Sequence, residues 1–293
     1  MRSRWSDAWR ALRRNRMAAI AGVVLALVVL ACAVGPWIAG AFGLDATAID
    51  TELGAAPPSA RHWLGTDTLG RDLLVRVLIG GRTALAVAFV ATLVALAIGV
   101  GYGAAAAYAG GWIDHAMMRV VDVLYGLPTV AFIIVVMAVQ GTRSVVALFA
   151  LIGAISWLTM ARIVRGQVLG LRRRGFVEAA RAIGASPGRI VIRHILPSTA
   201  GPVIVYATLA LPGVMLTEAF LSYLGLGVQA PLASWGTLVT EGSSQLLVYP
   251  WMLLGPGLVM AATVIALNFL GDGLRDALDP QTRKARDPSG IRP

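Results

Sequence analysis

Residues 178–197 read EAARAIGASPGRIVIRHILP, a polar, basic stretch set between two long apolar segments. A stretch this charged cannot lie in hydrocarbon, where a single ionised side chain costs roughly 3 kcal/mol or more. It must therefore meet water, and a protein partner is the natural occupant of its surface. Outward from it, the apolar runs on both sides reach the roughly 20 residues that a helix needs to cross a bilayer core. Of the 293 residues, 57% are hydrophobic and 14% are charged. A soluble domain of this length needs far more charge to cover its surface. The expected fold class is thus an all-α integral membrane protein. One Cys excludes a disulfide framework within the chain. The net charge of +10 flanks the apolar segments, as lipid headgroups and membrane topology require, and no soluble fold is left to present it to nucleic acid.

Six transmembrane helices are expected: Met17–Trp37, Thr83–Tyr108, Met118–Gln140, Val145–Val164, Gly201–Ser222 and Trp251–Leu270. Gly99, Gly101, Pro128, Pro212 and Pro256 fall inside these spans. They do not argue against helix, because neighbouring helices can satisfy the freed backbone groups. The chain divides into an Arg-rich tail with the first span (1–40), an extracytoplasmic loop (41–82), a five-helix core (83–271) containing the loop 166–198, and a tail (272–293). The first span follows a basic start and contains Ala31-Cys32-Ala33, which mimics a signal-peptide cleavage site. Its length and the spans that follow favour an uncleaved helix, with Cys32 a small packing residue. With the N-terminus inside, nineteen of the 25 Arg and Lys residues lie in inside segments and five in outside ones. The positive-inside rule then places both termini, and the 178–197 stretch, in the cytoplasm.

In the outside loop, Thr66-Asp67-Thr68 precede Leu69, Leu73, Leu74, Val77 and Leu78 at helical spacing. This pattern predicts an amphipathic helix lying flat at the outer surface, capped by Asp67 or Thr68, with Arg71 and Arg76 toward headgroups. It is either a plain collar or a docking surface for an external partner. Arg119 and Asp122 are spaced i,i+3, which predicts a structural ion pair at the inner end of the third span, a gate contact being the alternative. Glu218 and Asn268 are polar groups within spans. Such groups face either a translocation path or another helix through hydrogen bonds. Asp272, Asp276 and Asp279 have helical rather than calcium-loop spacing and read as a capped tail. His62, His115 and His194 are scattered, so no metal site is expected.

Between spans four and five the chain runs RRRGFVEAARAIGASPGRIVIRHILP. Phe176–Ile183 has helical composition, Gly184 permits a sharp bend, and Ser186-Pro187 can start a second short helix. The result is a helix–bend–helix in which small Ala179 and Ala180 permit close approach, while Glu178 and Arg181 offer charged hydrogen bonds at the rim. The residues alone leave two readings open, a solvated connection or an element that fits a partner's cleft.

The spacing Glu178-Ala179-Ala180, Gly184 and a terminal His194-Ile195-Leu196-Pro197 resembles the EAA coupling loop of ABC importer permeases. His194 stands where the general pattern prefers Ile, a departure similar to the peptide and nickel branch. HWLGTDTLGRD (62–72), GWIDHAMMRVVD (111–122), EAFLSYLGLGVQAPLASWG (218–236) and LNFLGDGLRDALDP (267–280) resemble the C-type permease subunits of that branch, in the family's order. The resemblance implies a type I ABC importer transmembrane domain in the bacterial cytoplasmic (inner) membrane. It implies a heterodimer with a sister permease, two cytoplasmic ATPases and an extracytoplasmic substrate-binding protein. It implies ATPase coupling through Glu178, Ala179, Ala180, Arg181, Gly184, Ala185, Ser186 and Pro187, with peptide as cargo and nickel or another small solute as the alternative. ATP and Mg belong to the partner ATPases. A phosphate-binding loop needs Gly-x4-Gly-Lys-Ser/Thr, and the only lysine here, Lys284, is followed by Ala285. A secondary transporter often has matched repeats or several intramembrane charges, and neither stands out here.

Overall fold

The second span is the longest helix and sets the frame for the others. The computed structural model describes residues 10–141 and 145–278. Helix α1 (Arg16–Ala41) starts at Asn15, whose side chain accepts from the Ala18 amide. Helix α2 (Leu73–Ala109) starts at Asp72, whose carboxylate accepts from the Val75 amide, and stops at Gly110 with φ +68°. Its 37 residues extend about 55 Å at 1.5 Å per residue, well beyond a hydrocarbon core of about 30 Å. The helix therefore projects from the membrane. Helices α3 (Gly111–Tyr125), α4 (Thr129–Gln140) and α5 (Val145–Leu171) follow. Next come α6 (Gly175–Ala182), α7 (Pro187–Ile190), one π turn (Val191–Ile195) and α8 (Leu196–Tyr223). Helices α9 (Trp235–Ser244) and α10 (Trp251–Leu278) complete the described residues, among which no strand occurs.

Five of these helices are long and apolar enough to cross a membrane, and six spans result if the bent pair α3–α4 counts as one. The third span is therefore not the continuous helix expected over Met118–Gln140. It breaks between Tyr125 and Thr129, and its halves are bent by 81°. Pro128 lacks an N–H and disfavours helical geometry at Leu127. Few neighbours pack there to hold the helix straight. The sixth span continues past the expected Leu270 to Leu278 and carries Asp272 and Asp276 within it. Asp279 lies outside the described residues.

Small residues dictate how the helices meet. Without a hydrophobic drive between helices in lipid, close backbone approach supplies the attraction. A Cβ on Gly99 would lie 2.6 Å from Met160 Cβ, one on Gly103 would overlap the Ala161 backbone, and one on Gly153 would lie 2.9 Å from Val94 Cβ. Together with buried Ala91, Ala95, Ala104 and Ala107, these positions let α2 and α5 run in contact. One apolar core joins Leu73, Val77, Ala84, Leu148, Trp235 and Leu267. A second lies at the other end of α2 and α5 and joins Ala104, Met160, Val164, Val168, Val177 and Ile190.

The loop before α2 departs from expectation. Residues 66–72 form no helix; Thr66 and Asp72 make an isolated bridge, and α2 begins only at Leu73. Asp72, not Asp67 or Thr68, is the cap. Arg76 does not reach headgroups: it is 5% exposed, bonded to Asp67 and held by both Glu241 oxygens at 2.7 and 3.2 Å. Arg71 Nε donates to the same Asp67 at 2.7 Å. Leu73, Val75 and Val77 enter the core, which pulls the guanidinium inward, where only carboxylates could make it tolerable. Helix α9 is fixed on the same frame by Trp235 Nε1, which donates to the Val77 carbonyl at 2.9 Å.

The α2–α5 contact yields a direct test. Gly103→Ala is expected to lower the unfolding temperature of the detergent-solubilised protein by several degrees, the consequence of roughly 1–3 kcal/mol of overpacking. Gly101→Ala, whose Cβ would meet nothing within 4 Å, should leave it unchanged in the same thermal scan.

Candidate functional site: a helix–bend–helix between the fourth and fifth spans

The chain turns out of α5 at Leu171 and builds α6 against the ends of α2 and α5. Val177 and Ala180 are buried, Val177 completely, and pack with Ala104, Ala107, Val164 and Val168. Ala180 is thus an inward packing residue, not part of the exposed face expected for it. Neighbouring residues on a helix point about 100° apart, so Ala179 stays exposed while Ala180 does not. Ala185 is likewise half-buried against this core.

The bend has a specific hydrogen-bond pattern. The Ala185 amide donates to the Ala180 carbonyl at 3.0 Å, and the Gly184 amide donates to the Arg181 carbonyl at 2.9 Å. These two bonds form a Schellman closure, which needs a left-handed residue at Gly184. Gly184 has φ +79°, and a Cβ there would meet nothing within 4 Å. The constraint is therefore on the backbone and not on space. Ser186, in extended geometry, leads into Pro187 at the first turn of α7. Ile190 and Ile195 are buried beneath it. The π turn follows, with the Leu196 amide donating to the Val191 carbonyl, and α7 continues through it into the fifth span.

The exposed face carries Glu178, Ala179, Arg181, Ile183, Gly184, Ser186 and Pro187. Ile183, just before the bend, is 85% exposed, and the same element also exposes charged Glu178, Arg181 and Arg189. Composition alone makes Ile183 look like the last residue of a helix; its exposure follows from its position just before the left-handed glycine. Arg172 is also absent from the sequence-predicted site. Its guanidinium donates to the Ala107 carbonyl at 2.7 Å, tying the base of the element to the last turn of α2. Cations favour that end of a helix.

The remaining predicted residues are placed elsewhere. Asp122 does not pair with Arg119: Arg162, on α5, donates to it at 2.8 Å and stacks over Tyr125 at 4.2 Å. Arg165 grips Asp114 with two bonds of 2.6 and 2.7 Å. An i,i+3 spacing permits contact, but α5 presents guanidiniums directly opposite both carboxylates. Glu218 is 1% exposed and accepts from Ser222 at 2.8 Å and Ser234 at 2.7 Å. These bonds join α8 to the start of α9. Asn268 is exposed and donates to the Val264 carbonyl of its own helix.

Residues 97–284 match the family described as the binding-protein-dependent transport system inner membrane component, and residues 3–58 match the N-terminal TM domain of oligopeptide transport permease C. The oligopeptide transport system permease protein OppC of Haemophilus influenzae is 43% identical over 284 residues, covering 96% of this chain and 90% of the relative. Its counterpart from Salmonella typhimurium is 47% identical over 286 residues, covering 96% and 93%. The dipeptide transport system permease protein DppC of Bacillus subtilis is 42% identical over 279 residues, covering 95% and 86%. Among solved structures, a chain from the inward-facing MetNI methionine ABC transporter superposes with a TM-score of 0.56 at 20% identity. That alignment covers 71% of this chain and 96% of that one. The likeness establishes the fold as a type I ABC importer transmembrane domain. The chain belongs to the family of binding-protein-dependent transport system inner membrane components, and is a multi-pass protein of the cytoplasmic membrane.

The bend can be probed apart from any transport assay. Gly184→Ala forces an L side chain into left-handed geometry at a cost of roughly 1–2 kcal/mol. Amide exchange at positions 184 and 185 is expected to accelerate at least about fivefold, and Gly184→Asn to lie between the two, because Asn tolerates this conformation better.

Proposed function

We propose that this chain is one of two membrane subunits of an ATP-driven peptide importer, and that its helix–bend–helix transmits the power stroke of a cytoplasmic ATPase. The observation that carries the coupling role is the element's form. The base, Val177 and Ala180, is buried against α2 and α5, and the exposed part carries apolar Ile183 together with charged Glu178, Arg181 and Arg189. An apolar knob with a charged rim is the anatomy of an anchor residue seated in a partner's pocket. Its base touches the closely packed pair α2 and α5, so a push at the tip reaches the membrane core through side chains in contact. The absence of a phosphate-binding loop from the sequence leaves hydrolysis, with its ATP and Mg, to the partner ATPases.

Peptide as the cargo rests on the relatives, whose names specify oligopeptide and dipeptide transport. The charge distribution supports an orientation with both termini in the cytoplasm, which puts the helix–bend–helix beside the ATPases. A sister permease is the partner in the membrane. The exposed apolar residues Phe132, Val135 and Val139 of α4 support a heterodimer covering that half of the broken span. The external segments between the first two spans and before the sixth then face a substrate-binding protein, which selects the cargo. Within this scheme Glu178, Ala179, Arg181, Gly184, Ser186 and Pro187 meet the ATPase, while Ala180 and Ala185 hold the element in place.

In the reconstituted importer, Glu178→Ala and Gly184→Leu are expected to leave assembly and ATP hydrolysis in place while uptake of labelled peptide falls at least about tenfold, the loss expected from removing an interface hot spot. Normal transport by an assembled Gly184→Leu complex contradicts the coupling role. Competition among dipeptide, longer peptide and nickel reports the cargo separately, and uptake that persists without ATP under a proton gradient contradicts ATP drive altogether.

A further inference from the structure

A second polar cluster, outside the helix–bend–helix, lies where α3 faces α5. A cavity of about 400 Å³ is lined there by His115, Met118, Arg119, Asp122, Arg162 and Arg165. Two of its three guanidiniums are committed: Arg162 to Asp122 and Arg165 to Asp114. Each pair pins a guanidinium in place while leaving other N–H donors of the fork free, since arginine carries five and the pairs use one and two of them. Arg119 has no ion-pair or hydrogen-bond partner among the described residues, and it is exposed at the cavity's edge. The cluster therefore keeps one positive charge in excess, with donors already oriented for a multidentate oxyanion.

The setting of Arg119 indicates what that oxyanion is attached to. Trp112, Arg119 and Val123 are spaced i, i+7 and i+11, one stripe of α3. Trp112 is 82% exposed and Val123 62%. A helix that turns away from its apolar continuation by 81°, with an exposed Trp near its start and a cationic seam beside an apolar stripe, has the composition of one lying at a membrane interface. A free anion makes no use of the apolar stripe, whereas a lipid occupies both parts, headgroup in the cavity and chain along Trp112 and Val123. The geometry points to an anion site formed by Arg119, Arg162 and Arg165 that holds the phosphate of an anionic lipid headgroup against α3. Basic pockets between transmembrane helices suit such headgroups. The occupied site adds a tether between α3 and α5, beside the two ion pairs.

This inference does not depend on the cargo or on ATP coupling, and its test leaves both aside. The intact importer complex is placed in nanodiscs of phosphatidylcholine with or without phosphatidylglycerol, extracted, and its retained lipids counted by native mass spectrometry. Wild type is expected to retain a phosphatidylglycerol that Arg119→Gln holds about fivefold more weakly, the effect of one cation near an anionic surface, and that Arg119→Lys restores. Arg119 makes no internal bond among the described residues, so the substitution leaves the fold intact, as an unchanged size-exclusion profile and thermal unfolding midpoint of the same complex verify. Equal phosphatidylglycerol retention by wild type and Arg119→Gln overturns the site. If inorganic phosphate binds in an Arg119-dependent manner while no lipid is retained, the pocket takes a free anion and the lipid assignment fails.

Discussion

The backbone-to-backbone approach of α2 and α5 is the contact on which the rest of the chain depends. Gly99, Gly103 and Gly153 leave no room for a Cβ, so the two helices share a seam closer than ordinary apolar side chains would allow. Lipid offers an apolar surface as good as another helix, and only such close packing makes helix contact preferable to lipid contact. The polar clusters are then mounted on this pair. At one end, the buried start of α2 brings Arg76 to Asp67 and Glu241, linking the loop before α2 to α9. At the other end, the last turns of α2 and α5 form the seat for Val177, Ala180 and Arg172. Both ends are thus mounted on one closely packed pair of helices.

The element between spans four and five is anchored on this pair. Here the tip is held by a left-handed glycine and two backbone hydrogen bonds, and the base by full burial of Val177 and Ile195. The π turn between α7 and α8 departs from regular α-helical bonding along that path. It ends two residues before Pro197, which has no amide to offer the preceding turn. The irregularity follows from the sequence and lies where an exposed element becomes a membrane span.

Much of this is legible in the sequence because it depends on local chemistry. Span positions follow from apolar run length, and the bend at Gly184 with the start at Ser186-Pro187 follows from glycine and proline conformational preferences. What is not legible depends on partners far along the chain. Asp122 finds Arg162 forty residues away and not Arg119 three residues away. Arg76 finds Glu241 across 165 positions, which turns an expected surface collar into a buried charge cluster. Ala179 and Ala180 are chemically identical, and only the position of α2 and α5 decides that one is exposed and the other buried. Pro128 is compatible with a continuous span as far as sequence alone can say. It breaks the helix because few neighbours pack against that point to hold it straight.

The central claim is that the tip around Ile183 sits on the cytoplasmic side in contact with an ATPase. Site-directed cross-linking of an Ile183→Cys variant tests it most directly; the chain's own Cys32 is buried and can be replaced by Ala. In inverted membrane vesicles the new thiol should cross-link to a cysteine placed in the ATPase, and in intact cells it should resist a membrane-impermeant maleimide. Labelling of the introduced thiol from outside intact cells, or a fully assembled complex with no cross-link to either ATPase, contradicts the account.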